Sequence, residues 1–333
     1  MIRRAFVIAS LVGLGLLLLA VPAPAQEITV KMGSATSPTP FDSITPYMAR
    51  EKGMFKAQGL EVQILDFRGD ATVTKALVGG EVDVAVNLGA TSAIVSASKG
   101  TRIRLHVVPQ PITPYTLVAR REAARTLKDL VEGRRKSIAV SGIGAISYHI
   151  PRVVLEKSGL DPDKATYVGV GSAADRFKSV IAGKVDATIV TASETVELDR
   201  YPQLIALAEI PKIVPEIAYT FGVAKQEYLD RNPETAYKLT RGMIEANRYI
   251  VTNKAGAVEA GAKIMRRPAE VIARIYDLID KRLWGVNGDL DREHYLYTVD
   301  LLRRVGYLQT PLSYEEFFDR RFVDRVLREL GRM

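Results

Sequence analysis

Small hydroxyl and amide side chains recur just past the ends of short apolar runs, and these are the residues best placed to do chemistry in this chain. Ser34, Thr36 and Thr39 follow the run 28–32, and Asn87, Thr91 and Ser92 follow 82–86. In the second half Ser141 and Ser147 follow 137–140, Ser172 follows 165–170, and Thr191 and Ser193 follow 185–190. Each exit feeds a stretch with helical spacing. Backbone N–H groups, hydroxyls and helix dipoles could therefore converge there on one anionic or polar group. Any one of these serines or threonines is also an ordinary N-cap, and Ser172-x-x-Asp175 and Thr191-x-x-Glu194 suit that role. It is the recurrence of the pattern in both halves that points to a ligand cleft.

Other residues carry two readings each. Gln110 and Tyr115 sit on a proline-rich connector, where they could reach a ligand or face solvent. His149, beside Tyr148, either packs or lines the cleft. Arg176 could neutralise an anion, but its position suits a solvated helix face better. Trp284 beside Gly285 reads as core or helix-end packing. Ser141-Gly-Ile-Gly-Ala-Ile-Ser147 follows a strand and opens a helix, yet serine stands where a dinucleotide loop needs its third glycine. It reads as an anion-cradling turn instead. With no cysteine and three scattered histidines, thiolate chemistry, disulfides and a motif-spaced metal site are not expected. No paired base and nucleophile is found, so no catalytic residue, cofactor or metal is assigned.

These exits need strands and helices to hold them, and the chain supplies such elements twice. The run 75–86 aligns with 178–189, sharing Lys75/Lys178, Gly80/Gly183, Val82/Val185 and Asp83/Asp186. Each copy reads β-α-β-α-β, with a first helix expected over 43–58 and its counterpart over 147–157. Apolar strands alternating with helical patterns predict an α/β fold, each lobe a mostly parallel sheet flanked by helices. The prolines between 109 and 115, and those at 211 and 215, mark two passages between lobes. Beyond them the composition turns helical, with Ser313-x-x-Glu316 as a capping box. The expected plan is lobe 1 from 27–111 and 224–333, with lobe 2, residues 112–223, inserted in it.

The 333 residues carry a net charge of +8, from 46 basic and 38 acidic side chains. The excess is mixed along the chain without a basic, aromatic-interleaved stripe, so nucleic-acid binding is not expected. Arg3 and Arg4, an apolar run to Ala20, Pro22 and Ala23-Pro24-Ala25 read as a cleaved signal peptide, residues 1–25. The protein is thus expected outside the cytoplasm, in the periplasm.

The run 49–62, Ala-Arg-Glu-Lys-Gly-Met-Phe-Lys-Ala-Gln-Gly-Leu-Glu-Val, and the run 80–89, Gly-Glu-Val-Asp-Val-Ala-Val-Asn-Leu-Gly, resemble the nitrate/sulfonate/taurine family of ABC-importer solute-binding proteins. That superfamily also holds pyrimidine-precursor binders and synthases. The resemblance implies a two-lobe type II periplasmic binding protein fold that closes on a small molecule. It also implies ligand contacts from the loops named above, a membrane permease as partner and a monomeric state. The synthases use a cysteine-rich segment, which this chain lacks. Receptor function for a small organic anion is the expectation. An exported lyase or hydrolase with His149, Asp175 or Glu194 as acid–base groups, and a periplasmic ligand sensor, are the alternatives.

Overall fold

In the computed structural model, residues 27–134, 136–310 and 312–333 are described; the expected signal peptide lies outside them. Among the described residues ten strands make two five-stranded sheets. In chain order they are β1 (Ile28–Ser34), β2 (Leu60–Asp66), β3 (Val84–Gly89), β4 (Ile103–Gln110), β5 (Thr116–Arg120), β6 (Ser137–Val140), β7 (Thr166–Gly169), β8 (Ala187–Val190), β9 (Leu204–Glu209) and β10 (Thr220–Lys225). The sheet orders are β2-β1-β3-β10-β4 and β7-β6-β8-β5-β9. Each has four strands running one way, and one antiparallel strand in the fourth place.

The two orders are the same once the halves are exchanged. Each half builds four parallel strands, then sends its next strand across as the antiparallel member of the other sheet. The repeat seen in the sequence has a physical basis in both copies. Gly80 and Gly183 end their helices with φ of 78° and 69°, a conformation that glycine adopts without a Cβ penalty. Asp83 accepts the Lys31 amide at 2.8 Å, and Asp186 accepts that of Ser137, its structural counterpart, at 2.8 Å. Val82 and Val185 are both buried.

Helices α1 (Thr45–Glu51), α2 (Asp70–Gly79), α3 (Ala90–Ser98), α4 (Ile146–Lys157), α5 (Ala173–Ile181) and α6 (Ala192–Thr195) connect these strands. The long helix expected over 43–58 is broken. Pro46 stands at the start of α1, and Gly53, at φ 69°, turns the chain before a short 3-10 turn at Lys56–Gln58. The capping boxes at Thr191/Glu194 and Ser313/Glu316 both form. After β10 come Pro233–Thr252, Lys254–Met265, Ala269–Leu278, Arg292–Arg304 and Arg321–Leu330, which pack against the first sheet and its helices. Strand β10 belongs to the first sheet, so residues 220–223, assigned above to lobe 2, pair with lobe 1 instead.

Among the described residues the chain crosses between sheets twice, after Gln110 and after Glu209. A buried hydrogen-bond chain ties the crossings together. Gln110 Nε2 donates to Thr45 Oγ1 at 2.9 Å, Gln110 Oε1 accepts from the Thr220 hydroxyl, and Thr45 donates to Asn247 Oδ1 at 2.7 Å. Asn247 Nδ2 in turn holds the Pro109 carbonyl at 2.8 Å. Gln110 therefore has a partner for both polar atoms inside the hinge, which explains its complete burial.

Candidate functional site

The carboxyl ends of strands from both sheets face one cavity of about 90 Å³. This is where an open α/β sheet is expected to bind its ligand. Four helices of nine residues or more, α2, α3, α4 and α5, begin at its wall, with Asp70, Gly89, Ile146 and Ala173 all lining it. Their N-terminal ends favour an anion between them. The halves touch around the cavity. The Phe41 amide donates to Ser193 Oγ at 3.0 Å, Arg267 reaches the Ser193 carbonyl at 3.1 Å, and a Cβ on Gly89 would stand 3.2 Å from the Ile146 side chain.

Six of the sequence-derived candidates line this cavity: Thr36, Asn87, Ser141, Ser147, Ser172 and Thr191. Asn87 is a non-glycine residue at positive φ, 54°, which asparagine tolerates better than most. Its Nδ2 donates to the Ser43 carbonyl at 2.9 Å and to Ser34 Oγ at 3.2 Å. Its buried Oδ1 has no partner, leaving an acceptor on a cavity-lining side chain. Ser147 Oγ accepts from the Ser141 amide at 2.8 Å and meets Ser141 Oγ at 2.6 Å, so the glycine turn between them is held shut from inside.

The other seven candidates stand outside the lining. Ser34 is buried beneath Asn87, and Thr39 Oγ1 donates to the Thr36 carbonyl at 3.4 Å. Thr91 is buried, and Ser92 donates to Asp70 Oδ2 at 2.7 Å. Gln110 serves the hinge and Ser193 the contact between halves. His149 is buried in an aromatic cluster, its Nε2 3.0 Å from the Gly144 carbonyl and its ring edge-on to Tyr307 at 4.8 Å. Desolvation in that cluster lowers its pKa to about 4. The imidazole is therefore neutral at physiological pH.

Arg176 overturns the solvated-face reading: it is only 3% exposed. Its Nη1 donates to the Gly171 carbonyl at 2.7 Å, Nη2 to the Ile189 carbonyl at 3.2 Å, and Nε to Thr188 Oγ1 at 3.3 Å. These bonds use three of the five guanidinium N–H donors. It has no carboxylate within ion-pair distance among the described residues, and it lines the cavity. Arg68 and Asp70 also line it, and sequence reasoning missed both. The strand-exit rule applied to the end of β2, where Phe67-Arg68-Gly69-Asp70 follows, would have found them. Tyr219 and Thr220 were missed because they approach from the second passage and not from a strand exit. Tyr219 packs edge-on against Tyr115, with ring centres 5.3 Å apart, and donates to Asp42 Oδ2 at 3.2 Å.

Three carboxyls surround this region, and burial raises the pKa of each: Asp42, Asp70 and Glu194. Desolvation is the largest cause in all three cases. At Asp70 it is opposed by bonds from Ser92 and the Gly89 amide, and at Glu194 by bonds from Thr191 and by the charge of Arg176. In each, burial favours the neutral carboxyl over the charged one. The shift at Asp42 also sets the sign of a pH effect. A raised folded-state pKa means that the native chain holds the proton more tightly than the unfolded one. The penalty for ionising Asp42 therefore grows as pH climbs above the ordinary carboxylate value of 3.8. Asp42→Asn keeps an acceptor for Tyr219 and should raise Tm more at pH 8 than at pH 4.5. Calorimetry at both pH values checks this, and equal shifts would remove burial of the charge as the cause.

Comparison with known proteins gives the family and supports the fold. A family model described as NMT1/THI5 like matches residues 41–257. The chain belongs to the NMT1/THI5-like family. It is 28% identical over 256 residues to a Bacillus subtilis protein described as putative binding protein YtlA, covering 73% of each chain. It is 25% identical over 229 residues, 65% of each chain, to the 4-amino-5-hydroxymethyl-2-methylpyrimidine phosphate synthase THI13 of Saccharomyces cerevisiae. Among solved structures it superposes on the alkanesulfonate-binding protein SsuA of Xanthomonas axonopodis pv. citri, bound to MOPS, with TM-score 0.75 and 18% identity, over 89% of this chain and 99% of that one. The two-lobe α/β fold of this NMT1/THI5-like protein is thus that of the periplasmic binding proteins.

Proposed function

We propose that this protein is an exported solute receptor of an ABC importer, closing its two lobes on a small organic anion of carboxylate or sulfonate type. The observation that carries the reading is Arg176, a buried guanidinium on the wall of the shared cavity with no carboxylate in ion-pair contact, Glu194 acting on it only through space. Four helix N-termini add to the attraction. Thr36, Ser141, Ser147, Ser172 and Thr191 supply the remaining polar wall, and Tyr115 and Tyr219 an apolar one. At 10–15 Å³ for each water-sized position, a cavity of about 90 Å³ suits a ligand of few heavy atoms. YtlA and SsuA, described as binding proteins, favour the receptor reading. Closure on the solute would present a changed surface to a membrane permease.

The test is a melting-temperature screen against small sulfonates and carboxylates, such as methanesulfonate, acetate and glycolate. A true ligand should stabilise by mass action, by about 2.7 kcal/mol at a hundred times its Kd. No shift across the panel would overturn the ligand class. The yeast synthase relatives favour a second reading, an enzyme on the same fold. Mass spectrometry of a stabilising compound after incubation separates the two, because a receptor returns it unchanged.

A further inference from the structure

Among the described residues the charged side chains lining the cleft are Arg68, Asp70 and Arg176. Attraction of an anion accounts for the two arginines and leaves the carboxyl without a role. Asp70 opens α2 and reaches the start of α3. Its Oδ1 accepts from the Gly89 amide at 3.1 Å, and its Oδ2 from the Ser92 hydroxyl at 2.7 Å. Burial and those two bonds are what act on its titration, so neither lining arginine is its partner.

A carboxylate oxygen can accept two hydrogen bonds, and each oxygen of Asp70 has one so far. The residue is half-buried, whereas Asp42 below it in the wall is fully buried. Asp70 therefore still has acceptor capacity on the surface of the cavity. Tyr115, another lining residue, relates it to Arg176: the charges of both act on the Tyr115 hydroxyl, in opposite directions. The cavity thus offers a cationic donor and a carboxyl acceptor to one occupant.

We propose that the ligand is a small hydroxy acid, its anionic group held by Arg176 and its hydroxyl by the Asp70 carboxyl. The inference rests on the receptor reading and narrows its substrate class. A hydroxyl both donates and accepts, so it matches Asp70 whether that carboxyl is ionised or protonated. Burial favours the protonated form. An ammonium group can only donate and needs the ionised form. Charge balance points the same way. Two arginines facing a carboxyl that burial pushes toward neutrality leave the wall positive. That suits a ligand with a net negative charge better than a zwitterion.

Titration calorimetry on matched pairs tests this: glycolate against acetate, 3-hydroxypropionate against propionate, and 2-hydroxyethanesulfonate against ethanesulfonate. The pairs vary both the anionic head and its distance from the hydroxyl. At least one hydroxy member should bind about tenfold more tightly than its partner, the effect of roughly one hydrogen bond. Asp70→Ala should remove that gap. Ser92→Ala, which cuts one bond from α3 to Asp70 and leaves the carboxyl in place, should keep it. If Asp70→Ala does not fold, wild-type protein labelled with nitrogen-15 decides. The Gly89 amide, bonded to Asp70, should then shift further at saturation with the hydroxy member than with its partner. Equal affinities within every pair, a gap that survives Asp70→Ala, or equal Gly89 shifts would overturn the hydroxy-acid assignment and leave the receptor reading standing. Tighter binding of glycine or 2-aminoethanesulfonate than of its hydroxy counterpart would overturn it in favour of a zwitterion. No binding by any of these compounds would overturn the anionic ligand class as well.

Discussion

Arg176→Met should reduce affinity for any small sulfonate or carboxylate that stabilises the wild-type protein by about 100-fold or more. A hydrogen bond to a charged group contributes about 1.5–3 kcal/mol, and the guanidinium has two N–H donors beyond the three already committed to Gly171, Ile189 and Thr188. The stability of the unliganded protein should change far less, or rise. A buried guanidinium with no carboxylate in direct contact, only Glu194 acting on it through space, costs desolvation energy that methionine, of similar length, does not incur. The lost bonds also leave the Ile189 carbonyl with a contact from Thr188 Oγ1 at 3.3 Å. Titration calorimetry and urea unfolding on the same variant separate the two effects. A variant that binds normally would remove Arg176 from the ligand wall. One that is several kcal/mol less stable would make the arginine structural.

Phe41→Ala should destabilise the protein by about 3–5 kcal/mol, the usual cost of truncating a fully buried aromatic residue. Phe41 is completely buried, packed edge-on against Trp284 at 6.0 Å and Tyr276 at 6.2 Å. The fit is close: a Cβ on Gly261 would come within 2.6 Å of its ring. The same residue's amide crosses to Ser193 Oγ, so one side chain anchors the C-terminal helices where its backbone touches the other lobe. Collapse of the neighbours into the vacated space is limited by that rigidity, which keeps the cost at the upper end. Phe41→Leu, which preserves most of the volume, should cost under about 1.5 kcal/mol. Urea unfolding measures both, and a loss below 1 kcal/mol for the alanine variant would mean that the surrounding helices close the gap.

Much of the fold was legible because it depends on local rules that recur. Strand-length apolar runs alternating with helical spacing dictate α/β layers, and a glycine and an aspartate at matching places mark the duplication. Both residues have local duties, ending a helix at positive φ and capping a neighbouring strand's amide. The caps at Ser172, Thr191 and Ser313 were equally readable, since a hydroxyl three residues before an acid is a contact within one turn. Strand exits also located six cavity-lining residues, because the pleat and the parallel direction send those loops to one edge.

The sequence by itself determined that two equivalent halves would place hydroxyl-bearing loops at their strand ends. What it left open is which of those hydroxyls meet the cavity and which are used up inside the protein. Ser92 and Ser193 have the same chemistry as Ser147 and Ser172, yet they are drawn toward Asp70 and the Phe41 amide, groups far away in sequence. Arg176 looked solvent-facing because its helix is amphipathic; the packing of β8 and the turn at Gly171 enclose it, and three acceptors from those two segments make burial tolerable. Burial, and with it the charge state of Asp42, Asp70 and Glu194, is a property of the surroundings that distant segments provide. Tertiary structure alone decided it, because desolvation depends on what packs around a group and not on what adjoins it in the chain.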